Sequence, residues 1–156
     1  TGTTIFASDS RFFSTVFSEL NPFLQLLIKT KLKVLSLTKE DRLKLIDELN
    51  EQKHIITKFE QPANQELNDS FKKIFKSSIY FPSSNFNVIL STKTFLLNLS
   101  EGITKDILTI AVLSSLIPSS LLKKQGDLRF KTKDELAKGT PDFGIVLVEN
   151  LNIILL

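Results

Sequence analysis

The chain has 156 residues, 42% hydrophobic and 24% charged, a globular make-up that can bury a core and excludes a disordered or fibrous polymer. Its formal net charge of +3 is carried mainly by lysine. Arginine occurs only at Arg11, Arg42 and Arg129, so planar forks for phosphate or base recognition are scarce and no nucleic-acid partner is expected.

In chain order, Thr3 to Phe6 reads as a short strand. Asp9 or Ser10 then caps a helix with Phe13, Val16, Phe17 and Leu20 on one face, ending near Asn21-Pro22. The apolar stretch from Phe23 to Leu37 fits helix and strand equally well. Thr38-Lys39-Glu40-Asp41 resembles a capping box with Asp at the third position, and it opens a helix with Leu45, Ile46 and Leu49 facing inward. Leu67, Phe71, Ile74 and Phe75 follow i, i+4, i+7, i+8, which predicts an amphipathic helix with Lys72, Lys73 and Lys76 outward. Pro82-Ser83-Ser84 breaks the chain before an expected strand from Phe86 to Leu90.

The run Ile107 to Ile117 is apolar almost all round and too short to span a bilayer, so it is expected to be the central buried helix, stopped by Pro118. Thr132-Lys133-Asp134-Glu135 is a capping box for a short helix ending at Gly139. Phe143 to Leu156 is rich in β-branched residues and reads as one or two strands around Glu149-Asn150. Strands at both ends with helices between them give the expectation of a single α+β domain over residues 1–156.

Chemistry is sparse along this sequence. There is no Cys, which excludes disulfides, thiolate chemistry and Cys-based metal sites. His54 is the one imidazole, it has no nucleophile-elbow motif beside it, and its place at a helix end suits a cap or a packed structural group. The glycines are scattered, so neither a phosphate loop nor a dinucleotide fingerprint is present, and no EF-hand spacing occurs. No cofactor, no metal and no catalysis are therefore expected. The lysines near 29–33, 72–76 and 123–133 are interleaved with acids such as Asp69, Asp127 and Asp134 and read as solvated faces. Thirteen Phe against one Tyr and no Trp point to burial of most rings. A chain that starts at Thr1 and lacks Met is expected to have been processed or cut from a longer one, removal of a signal peptide being one route. Sequons at Asn68-Asp69-Ser70 and Asn98-Leu99-Ser100 permit glycosylation in a secretory compartment.

Thr4-Ile5-Phe6-Ala7, followed by polar Ser8-Asp9-Ser10 and then Phe13, resembles the first motif of the fasciclin-like domain family. His54-Ile55-Ile56 is similar to that family's central His-Val-Val element, and Gly144 to Asn150, ending in Ile154-Leu155-Leu156, to its closing strand. Ser8 stands where the family has Pro, Lys53 where it often has Tyr, and Leu147 where it has His. Phe86 to Phe95 with Leu113 to Pro118 is an alternative placement of the first and central motifs. The resemblance implies a small β-sandwich or wedge of strands flanked by helices. Its structural positions would be Thr4, Phe6, Phe13, His54, Gly144 and Val148.

It also implies a non-catalytic adhesive or ligand-binding module of a secreted, cell-surface or vacuolar protein, with protein, cell-surface or matrix partners and no transmembrane segment in this chain. Two alternatives stand beside it. One is an intracellular interaction or assembly domain presenting Phe12, Phe17 and Phe23. The other is a domain binding an apolar small molecule in a closed cavity lined by Phe and Leu.

Overall fold

The computed structural model describes residues 18–58, 65–75 and 79–155. Thr4, Phe6 and Phe13, the strand expected at Thr3 to Phe6 and most of the helix expected after it lie outside these residues. Helices account for 71% of what is described, beside a single two-stranded hairpin. The expected α+β sandwich is therefore replaced by a mostly helical fold.

The stretch that fitted helix and strand equally is helix α1, Pro22–Leu35. Asn21 caps it, its Oδ1 accepting from the Phe23 N–H at 2.9 Å, and Pro22 takes the first-turn position where no N–H is needed. Helix α2, Lys39–Thr57, starts as expected, with the Thr38 hydroxyl accepting from the Asp41 N–H at 3.1 Å. Helix α3, Gln65–Phe75, also falls where its periodicity placed it.

Helix α4, Ser83–Asn98, covers the strand expected from Phe86 to Leu90. The reason lies further along the chain. Asn85, Thr92, Phe95 and Leu96 repeat at helical spacing and are all buried, whereas the five residues from Phe86 to Leu90, apolar but for Asn87, are too short a window to show that period.

Helix α5, Ile103–Leu116, is the central element predicted for this run and packs against α1, α2, α4 and a last helix, α7, Phe143–Leu155. The antiparallel hairpin of β1, Leu122–Gln125, and β2, Asp127–Phe130, turns at Gly126, whose φ of 77° is one that residues with a side chain rarely adopt. Helix α6, Lys133–Ala137, carries the full Thr132–Glu135 capping box, and Gly139 follows it at φ 83°.

The expected closing strands are helix α7, Phe143–Leu155. Phe143, Val146, Leu147 and Leu151 are spaced i, i+3, i+4, i+8 and all are buried, so helical period prevails over β-branched composition. Asp142 caps this helix by accepting from the Ile145 N–H at 3.1 Å. Helical Ile145 to Val148 thus stands where the closing strand was expected.

The core joins Leu49 and Ile56 of α2, Phe95 and Leu96 of α4, Leu108 and Ala111 of α5, and Phe143, Leu147 and Leu151 of α7. Small Ala111 and Ser115, one turn apart on α5 and fully buried, leave room for α7. Asn150 of α7 donates to Ser115 Oγ at 2.8 Å, and Ser115 Oγ donates to the Ala111 carbonyl at 2.7 Å. A second polar joint lies at buried Asn85. Its amide nitrogen donates to the Ser119 and Pro141 carbonyls at 2.9 Å each, and its oxygen accepts from the Phe143 N–H at 3.2 Å. One side chain thus ties the start of α4, the turn after α5 and the start of α7.

Candidate functional site

Four helices leave a cleft of about 580 Å³ between them. Its walls follow from helical spacing. Leu27 and Val34 stand two turns apart on α1, and Leu45, Ile46 and Leu49 repeat at i, i+1, i+4 on α2. Ile107 and Ile110 of α5 form the back, and Ile154 and Leu155 complete the lining from the end of α7. Leu49, Ile107 and Ile110 are buried, whereas Leu35, Ile46 and Ile154 at the mouth remain exposed. The result is an apolar concavity with an open side, and its size lies inside the roughly 300–1,000 Å³ of small-molecule sites.

Polar groups in the lining are few. Thr30 is 3% exposed, and its Oγ1 is the one buried side-chain polar atom among the described residues without a hydrogen-bond partner. Such an atom costs stability, because water is lost and nothing replaces it. The ionisable lining groups are Lys31 and Arg42, both basic. Arg42 lies in the first turn of α2, and its Nη2 donates to the Leu35 carbonyl at 2.9 Å. That bond uses the free carbonyl end of α1 to hold the guanidinium beside Leu35 and Ile46.

The strongest charge cluster lies elsewhere, on the hairpin. Register sets Lys123 directly opposite Arg129, a like-charge pair that would destabilise the ladder. Glu135 resolves it. Its carboxylate accepts from Arg129 Nη1 and Nη2 at 2.8 and 2.9 Å, from Lys123 Nζ at 2.6 Å and from the Thr132 N–H at 2.9 Å. The Arg129 hydrogen bonds, then those from Lys123 and Thr132, hold this carboxyl far below the usual carboxylate range. The arrangement is structural, with the acid fully used by its neighbours.

None of His54, Gly144, Val148, Asn68 and Asn98 lines the cleft. His54 is exposed on the last turn of α2, and its Nε2 accepts from Lys58 Nζ at 3.0 Å, since an ammonium offers only hydrogens. Gly144 sits in the first turn of α7, where an added Cβ would meet Asp142 Oδ1 at 3.1 Å, so its small size leaves room for the helix cap. Val148 is half-buried on α7. Asn68 is half-buried within α3, and Asn98 is the exposed last residue of α4. Among the described residues no three His, Asp or Glu side chains are grouped as a metal ion would need, and no helix is long and apolar enough to cross a membrane.

A second surface is aromatic. Phe71 of α3 touches Phe75 and Phe86 at ring separations of 4.7 and 4.6 Å, and Tyr80 stacks on Phe130 of the hairpin at 5.6 Å. Phe75 and Phe130 on this side are 41% and 54% exposed, more than a monomer's core would leave.

Leu45, Ile46 and Leu49 were legible as an inward face of α2, but their opposite wall on α1 was hidden in a stretch that fitted two structures. Comparison of the chain with family models, curated proteins and solved structures returns no match.

Proposed function

We propose that this chain is a non-catalytic binding module that takes a predominantly apolar molecule in the cleft between α1, α2, α5 and α7. The observation that carries the reading is the cleft itself, an apolar concavity of about 580 Å³ with buried isoleucines at its back. The unpartnered Thr30 hydroxyl supports it, since a polar atom on a bound molecule would relieve a cost met at no other buried side chain among the described residues. The lining is aliphatic rather than Phe-rich, so shape and methyl contacts, not ring stacking, would select the occupant.

Titration of the chain with dodecanol, followed by methyl NMR, tests this. Saturable shifts at Leu49, Ile107 and Ile110, absent in Ile46→Trp, are the expected result. Shifts spread over the surface without saturation would sink the reading.

A protein-binding role, in adhesion or in assembly, is the second reading, favoured by the exposed Phe75–Tyr80–Phe130 face. Concentration-dependent self-association in sedimentation velocity, abolished by Phe130→Ser, would support it. A monomer at all concentrations counts against the self-associating form of it.

A further inference from the structure

The charge at the mouth of the cleft narrows the class of occupant. We infer that the cleft takes a single-chain amphiphile with an anionic head, its alkyl chain against Leu45, Leu49, Ile107 and Ile110 and its head at Arg42. This inference rests on the binding-module reading above.

Three observations lead to it. The lining contains basic side chains and no acidic one, so an anion is the charge the site favours and a cationic head would be repelled. Arg42 takes part in no ion pair among the described residues, and one bond to the Leu35 carbonyl uses one of its five N–H donors. The remaining donors suit a carboxylate or phosphate, which a guanidinium holds with two parallel bonds. The position is the third point. Arg42 lies beside exposed Leu35 and Ile46, whereas the buried isoleucines lie at the back, so the site runs from a cationic, wet end to an apolar, dry one. A molecule with a charged head and a hydrocarbon tail has that same polarity along its length.

The carboxylate head of a fatty acid and the phosphate head of an alkyl phosphate share this chemistry. Calorimetric titration of the chain with dodecanoate, dodecyl phosphate, dodecanol and dodecylammonium, each below its micelle concentration, separates the possibilities. The expected order places both anions tightest and dodecylammonium weakest. The tighter of the two anions identifies the head. Arg42→Gln should weaken the anions about tenfold or more, Arg42→Lys should restore part of that loss, and dodecanol should bind all three proteins alike. The anionic affinity should also fall with added salt.

If dodecanol binds as tightly as dodecanoate and Arg42→Gln changes neither, the head assignment is overturned and the apolar cleft stands. If no alkyl compound binds, the cleft reading itself fails. The alcohol reports whether Arg42→Gln has damaged the fold, because a collapsed cleft would lose it as well.

Discussion

Thr30 shows how one side chain can be costly in one setting and useful in another. Its buried hydroxyl has no partner among the described residues, so Thr30→Val, nearly the same shape without the polar atom, should raise the stability of the ligand-free chain by about 1 kcal/mol in denaturant titration. The same change should weaken binding of a molecule that reaches this hydroxyl. A loss of stability would show that the hydroxyl is satisfied in solution. Asn85 is the opposite case, with every polar atom used. Asn85→Asp keeps the acceptor for the Phe143 N–H but turns an oxygen toward two carbonyls. Ionisation is then disfavoured and the folded-state pKa is raised. The sign follows: the variant is least destabilised at low pH and loses stability as pH rises from about 3.9 through its raised folded value. Stability measured from pH 3 to 8 should show this fall in Asn85→Asp beyond that of the parent.

At the scale of elements, the helices opened by threonine caps were legible and the strands of the hairpin were not. Thr38 and Thr132 mark helix starts through a hydroxyl and a residue three places on, a signal confined to four residues. The helix at 143–155 was obscured because Ile145, Val146 and Val148 carry strand propensity, while its decisive period needs the span from Phe143 to Leu151. The hairpin was missed for another reason. Its strands are polar and mostly exposed, so alternation is weak, and its stability depends on Glu135, which follows β2 in sequence. Because the folded-state pKa of Glu135 is depressed, its contribution is complete above the ordinary value of 4.5 and is lost as pH falls below it. Protection of the amides across Leu122 to Phe130, taken relative to their intrinsic exchange at each pH, should therefore fall on acidification from pH 5 to 2. In Glu135→Gln that protection should be low throughout, without the fall. Equal protection in both proteins at pH 7 would show that the hairpin stands without the carboxylate.

For the molecule as a whole, α5 is both the centre of the core and the back of the cleft. Its fully buried Leu108 and Ala111 belong to the packed cluster, and Ile107 and Ile110 face the opening. The run from Ile107 to Ile117 announced a buried helix by being apolar all round, but the same uniformity concealed which residues face protein and which face the cleft. The cleft arises where four helices meet, so its existence depended on placing α1 and α7, the segments whose periodicity was hardest to read. A ligand that binds only the folded chain must stabilise it, by about 2.7 kcal/mol when present at a hundred times its dissociation constant. The direct measurement is the unfolding midpoint of the chain with increasing dodecanoate below its micelle concentration, beside Ile46→Trp. The proposed cleft predicts a rise that follows ligand concentration in the parent and is absent in Ile46→Trp. A midpoint that stays constant in the parent, or rises equally in both proteins, would contradict it.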